Sequence, residues 1–166
     1  GEVKIFGKKI EEIYNLKKNF FTYLPHKECL KDNLTVHENL ISWLELTNSG
    51  QNYSNYFSQL NIFDLTEFKN TLVRNLSHGQ KKKITLTKLL LSDAKLWLLD
   101  EPLNGIDLKS IKIFKSIVQN HLNKKGSIII TSHIDPNFKN CKKVLLKKYK
   151  NKKSFSELID KWENFK

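Results

Sequence analysis

Apolar positions along the chain recur in two rhythms, short alternating or unbroken runs and longer stretches at helical spacing. Residues 2–6 alternate polar and apolar before Gly7, which predicts a short strand and a turn. Residues 19–24 supply a second apolar strand, stopped by Pro25-His26. Residues 96–99 are an unbroken apolar run, the pattern of a parallel strand covered on both faces. Residues 127–131 read as another buried strand and residues 144–146 as one more. Helical patterns separate these runs. Thr35-Val36-His37-Glu38 has the spacing of a capping box, in which hydroxyl and carboxylate each satisfy a free amide at a helix start, and a helix through Leu40, Leu44 and Leu46 is expected after it. Residues 47–54 are loop by composition, with Gly50 among Asn and Ser. Leu60, Ile62, Phe63, Leu65 and Phe68 give a mixed helical segment, and Ile84, Leu86, Leu89, Leu90 and Leu91 one apolar helix face. Ile111, Phe114, Ile117, Val118 and Leu122 place a helix across residues 107–125, with Gly126 as its expected stop. Phe155, Leu158, Ile159, Trp162 and Phe165 make a final amphipathic helix. Strands alternating with helices predict an α/β fold around a parallel sheet.

Composition narrows this picture without redirecting it. A chain of 166 residues with 39% apolar and 28% charged residues suits one folded domain. No run approaches the ~20 apolar residues of a membrane helix, so any membrane contact should be peripheral. Cys29 and Cys141 form no C-x-x-C pair and read as reduced thiols. The net charge of +12 favours anionic partners in general. The clusters Lys81-Lys82-Lys83, Lys142-Lys143, Lys147-Lys148 and residues 150–153 read as solvated faces, and with no nucleic-acid motif beside them a nucleic-acid partner is not expected. The absence of methionine, even at position 1, suggests a processed, split or partial chain, and the heavy use of Lys, Asn and Ile hints at an AT-rich endosymbiont or organelle genome.

Chemistry concentrates in the second half. A buried strand ending in Asp100-Glu101 sets two carboxylates at the carboxyl edge of a parallel sheet, where ligands of α/β folds sit. Asp100 is then placed to hold Mg²⁺ and Glu101 to polarise a water. Leu76-Ser77-His78-Gly79-Gln80 opens a helix whose free amides could receive a phosphate oxygen; alone it would be an ordinary Ser-capped start. Asp107 alone would be a helix cap, and His133, just past a strand end, a structural imidazole.

Taken in order, Leu76 to Gln80, Leu96 to Pro102, Asn104-Gly105-Ile106-Asp107 and Thr131-Ser132-His133 make the chain resemble an ABC transporter ATPase. The resemblance makes these the signature loop, the Walker B strand with its catalytic Glu101, the D-loop and the switch His133. It implies a P-loop NTPase core with an inserted helical subdomain, and ATP with Mg²⁺ as ligands. Ser77, Gly79 and Gln80 would act on ATP held by an opposite subunit, Asp107 would couple the two sites, and His133 would meet the γ-phosphate. No G-x-x-x-x-G-K-[ST] occurs among the six scattered glycines, so the N-terminal P-loop part is not in this sequence. What precedes residue 1 in such a fold is a strand, P-loop and helix of about 30 residues or more. The expected parts are a core segment with the Q-loop at 1–34, a helical subdomain at 35–83 ending in the signature, a core segment at 84–148 and a basic helix at 149–166. His78 stands where many members have Gly, and His26 where most have the Q-loop Gln; an imidazole there can still donate or accept one hydrogen bond.

His26 also carries the finer resemblance. Tyr23-Leu24-Pro25-His26, the run from Leu34 to Leu40 and the run from Ala94 to Pro102, with its Trp97, are similar to the ATP-binding subunit of the cytochrome c maturation haem exporter, over residues 1 to about 146. That resemblance implies a peripheral subunit on an inner membrane, facing the bacterial cytoplasm or mitochondrial matrix. Its partners would be integral membrane subunits, together with a Walker A-bearing polypeptide or second ATPase subunit. It would be an ATPase only if Walker A is supplied elsewhere, and the isolated 166 residues should not turn over ATP. Two readings of other classes remain open, a degenerate structural subunit and an RNA- or ribosome-associated protein suggested by charge alone.

Overall fold

Capping chemistry and strand register explain most of the architecture. The structure, a computed structural model, describes residues 2–5, 7–14, 20–47, 56–133, 135, 137–138 and 141–145. The chain falls into two units, residues 1–136 and 137–166. The first begins with a hairpin of β1 (Lys4–Ile5) and β2 (Lys8–Lys9), turned at Gly7 with φ +77°, and a short helix α1 (Ile10–Tyr14). Strand β3 (Phe21–Leu24) follows, then α2 (Val36–Thr47) and α3 (Tyr56–Ile62). Two 3₁₀ turns, Thr66–Phe68 and Val73–Asn75, lead to α4 (His78–Leu90). The unit closes with β4 (Leu96–Asp100), α5 (Leu108–Asn123) and β5 (Ser127–Thr131).

Strands β3, β4 and β5 form a parallel sheet in the order β3-β4-β5, with Leu24 opposite Leu99 and Asp100 opposite Thr131. This is the α/β core the alternation predicted. Because successive side chains point to opposite faces, Thr22, Leu24, Trp97 and Leu99 share one buried face, where Trp97 stacks on His121 of α5 at 3.7 Å between ring centroids. Phe21, Tyr23 and Ile129 stand on the other face, 48, 53 and 61% exposed. The expected buried strand at 127–131 is therefore only half-buried, because β5 lies at one edge of the described sheet.

Helix α4 departs from the one-faced helix its apolar spacing implied. It is buried along most of its length, through Ile84, Leu86 and Leu89 but also Lys82, Thr85, Thr87 and Lys88. Leu46 of α2 points outward at 83% exposure, while Val36, Leu40 and Leu44 fill the core. Helix α5 ends at Asn123, three residues before Gly126. Lys125 takes the left-handed turn at φ +60°, and the Gly126 amide bonds back to His121 O at 3.0 Å. Gly126 is small for another reason: a Cβ there would lie 2.1 Å from the His121 ring.

In the second unit, residues 141–145 form no strand, and Val144 and Leu145 are exposed. The expected loop at 48–54 and the final amphipathic helix lie outside the described residues.

Candidate functional site

Parallel strands deliver their last residues to one edge, and here that edge gathers four polar side chains. Asp100 ends β4, and Thr131, its partner in register, ends β5. The Thr131 hydroxyl donates to Asp100 Oδ1 at 2.6 Å. The Glu101 amide donates to both the carbonyl and the hydroxyl oxygen of Thr131, each at 3.2 Å. These bonds hold Glu101 at φ +48°, a left-handed conformation uncommon for a residue with a long side chain. Strain of this kind persists only where the surroundings over-determine it. His133 Nε2 lies 3.6 Å from Glu101 Oε1, its imidazole 95% exposed while the Glu101 side chain is 15% exposed. The arrangement offers two carboxylates, one aimed by a twisted backbone, and an imidazole open to a ligand.

A divalent cation fits this donor set in a restricted way. Among the described residues no group of three or more His, Cys, Asp or Glu side chains could cage a metal. Mg²⁺ characteristically takes one or two carboxylates and completes its octahedron with water and phosphate oxygens. Asp100 and Glu101 suit that role only together with a phosphate ligand.

The second candidate region is the start of α4. Ser77 is the N-cap, its hydroxyl accepting from the Gln80 amide at 3.2 Å, and Gln80 Oε1 accepts from the Ser77 amide at 2.8 Å. No acidic residue occupies the first turn. Gly79 sits against the D-loop, where a Cβ would stand 3.2 Å from Gly105 O, and the His78 ring lies so close to Gly105 (φ +76°) that a Cβ on that glycine would come within 2.7 Å. Any side chain at 105 would push His78 aside. His78 Nδ1 is also 3.3 Å from Glu28 Oε1, an oxygen buried without a hydrogen bond.

Asp107 takes the capping role its position allowed and adds an ion pair. It caps α5 by accepting from the Ser110 amide at 2.7 Å and pairs with Lys83 of α4 at 2.7 Å. The Lys83 hydrogen bond first, and the Ser110 amide next, hold its carboxyl well below the usual carboxylate range. His26 presents an exposed side chain; its described contact is through the backbone, where its carbonyl accepts from Lys82 Nζ at 3.3 Å.

Lys82 corrects the reading of residues 81–83 as a solvated cluster. It is 2% exposed. Burial pushes its pKa down, while the carboxylates of Glu28, Asp100 and Glu101 push it back up. Periodicity gave no reason to expect a buried amine, and Thr131 was equally hidden, since its role depends on lying opposite Asp100 across two strands. The one available signal was its place at the end of a strand parallel to the one ending in Asp100.

Residues 1–104 match the family model described as ABC transporter. A cytochrome c biogenesis ATP-binding export protein of Reclinomonas americana is 38% identical over 141 residues, 84% of this chain and 63% of that protein. A protein of the same description from Vibrio vulnificus is 33% identical over 81% of this chain and 66% of its own length. The chain thus spans somewhat under two thirds of these relatives. Among solved structures, an ATP-binding subunit of an ABC transporter superposes with a TM-score of 0.68 at 24% identity, covering 81% of this chain and 57% of the other. A putative ABC transporter ATP-binding protein from Pyrococcus furiosus gives 0.67 at 22% identity, covering 85% and 67%. At that identity these two speak for the fold.

Proposed function

The chain is a member of the ABC transporter family, and we propose that it is the ATP-hydrolysing subunit of a membrane transporter of the cytochrome c biogenesis type, completed by a Walker A loop outside these 166 residues. The observation that carries this reading is the Glu101 backbone, turned to φ +48° and pinned by two bonds to Thr131 with His133 beside the carboxylate. Such a carboxylate is placed to orient an attacking water, and catalysis of phosphoryl transfer is mostly positioning and electrostatics. Mg²⁺, when bound with nucleotide, would neutralise phosphate charge beside Asp100. Ser77, Gly79 and Gln80 serve the γ-phosphate of a nucleotide on an opposing subunit, His133 serves the γ-phosphate on its own, Asp107 couples the two sites, and His26, at the Q-loop place, senses the γ-phosphate and touches the membrane subunit.

The half-bare sheet supports a completing segment. Phe21, Tyr23 and Ile129 on one face amount to an apolar surface that a further layer, such as the strand and helix around a P-loop, would cover. Whether that segment belongs to the same polypeptide or a companion does not alter its chemistry. Among the described residues no helix is long and apolar enough to cross a membrane; in this reading the chain meets an inner membrane, on its cytoplasmic or matrix face, through integral subunits. The relatives are named for cytochrome c biogenesis and export, and the resemblance carried by residues 23–26, 34–40 and 94–102 makes haem the proposed cargo.

The test is the complex purified from its native membrane. Mass spectrometry should find a peptide with G-x-x-x-x-G-K-[ST] in one-to-one ratio with this chain, and Glu101→Gln should lower ATP turnover by about 10²-fold or more. A complex with no such peptide, or with turnover indifferent to Glu101→Gln, would instead establish a structural subunit built on an inactive ATPase fold.

A further inference from the structure

We infer that Lys82 is a positioning residue of the proposed ATPase, a buried cation that ties the first turns of α4 to the carbonyl of His26. The kinetic half of this inference rests on the ATPase reading; the structural half does not. A lysine is almost never fully buried unless its charge is used, and an apolar side chain of similar length would fill the same space without a desolvation cost. Lys82 is 2% exposed and donates to His26 O at 3.3 Å. Three acidic side chains, Glu28, Asp100 and Glu101, act on its ammonium.

Other contacts join the same elements. Lys81 pairs with Asp32 at 3.1 Å and Lys83 with Asp107 at 2.7 Å, but both acidic partners are more than half exposed and water screens them. Thr85 Oγ1 donates to Glu28 O at 3.3 Å, a neutral bond. Lys82 is the desolvated charge in the set, so its bond to the His26 carbonyl is the one least weakened by solvent. It lies two residues beyond Gln80, on the helix whose start carries Ser77 and Gly79. Lys82 thereby holds the start of α4, which carries Ser77 and Gly79, against the His26 turn that follows β3.

The experiment compares Lys82→Met and Lys82→Arg. Hydrogen–deuterium exchange on the purified chain should show residues 26–28 and 77–80 exchanging at least tenfold faster in Lys82→Met, with no drop in Tm, and near wild-type rates in Lys82→Arg. In the transporter complex, Lys82→Met should lower kcat about tenfold with the KM for ATP within about threefold, and Lys82→Arg should restore at least half of kcat. Unchanged exchange in Lys82→Met overturns the inference, and so does a fall in Tm that Lys82→Arg fails to repair, which would mark a space-filling role. If exchange responds as expected but the wild-type complex shows no Glu101-dependent hydrolysis, the ATPase reading falls while the tie between α4 and His26 stands.

Discussion

Helices α2 and α4 open with the same device and different chemistry. In α2 the Thr35 amide donates to Glu38 Oε2 at 2.7 Å and the Glu38 amide to Thr35 Oγ1 at 3.2 Å. In α4 Ser77 and Gln80 exchange the corresponding bonds at 2.8 and 3.2 Å. Each box satisfies two amides that a helix start would otherwise leave unpaired. Only the first brings a negative charge to the positive end of its helix dipole. Helix α2 is closed by its own carboxylate, whereas α4 carries no acid in its first turn and has Lys81, Lys82 and Lys83 just behind it. A helix start already neutralised from within has little left for an anion, while one capped by neutral groups still offers a partial positive charge and free amides. One box holds a helix in place; the other also keeps it receptive to phosphate.

The sharpest way to break this comparison is to exchange the charges. Gln80→Glu keeps the box, and Glu is itself a favoured residue at that position, so Tm should hold or rise slightly. ATP turnover by the complex should fall about 10²-fold, because a carboxylate would then sit where the proposed function places the γ-phosphate. Glu38→Gln, the mirror substitution, should leave turnover within twofold. If Gln80→Glu retains turnover within twofold of wild type, the start of α4 is only a cap.

A smaller effect separates the boxes by removing one hydroxyl from each. Ser77→Ala and Thr35→Ala should cost about the same stability, roughly 1 kcal/mol each, as losses of an N-cap do, read from chemical denaturation. Turnover should fall about tenfold for Ser77→Ala and stay near wild type for Thr35→Ala. Equal losses of turnover would mean that the helices matter to ATP hydrolysis only as scaffold.

Whereas the reciprocal bond from Gln80 emerged only in the structure, the Thr35–Glu38 box and the Ser77 cap were legible because their partners lie three residues apart. The same holds for Asp107, whose cap on Ser110 is local, and for Asp100-Glu101 at the end of an apolar strand. What sequence patterns did not disclose depends on contacts across the fold. Lys82 reads like its neighbours Lys81 and Lys83, and only the approach of the His26 carbonyl makes it a buried donor. Thr131 gains its two roles from strand register. Ile129 was expected inside the core, but a strand is buried only as far as neighbours cover it, and β5 lies at one edge of the described sheet. Gly126 looked like the stop of α5 because glycine usually takes that conformation. Lys125 takes it instead, leaving glycine where the His121 ring needs room. Val144 and Leu145 show the same limit, since apolar character cannot supply an edge to pair with.

The smallest effect is the dependence of the two boxes on pH. The Thr35 amide, and then its hydroxyl, hold the Glu38 carboxyl below its ordinary value of 4.5. A carboxylate whose pKa is depressed on folding binds fewer protons in the native state than in the unfolded one, so its contribution is fully present above the unfolded pKa and is lost as pH falls through the folded value. Stability contributed by the α2 box should therefore fade below about pH 4.5, starting from the unfolded reference value. Gln80 has no proton to gain, and the α4 box should not change over the same range. The measurement is the difference in denaturation free energy between wild type and Glu38→Gln, followed from pH 7 downward. It should be small and constant near neutrality and shrink once Glu38 begins to protonate. A difference that persists unchanged to the lowest pH at which the chain stays folded would show that the Glu38 charge adds nothing to its cap, and the contrast between the two helix starts would then rest on Gln80 alone.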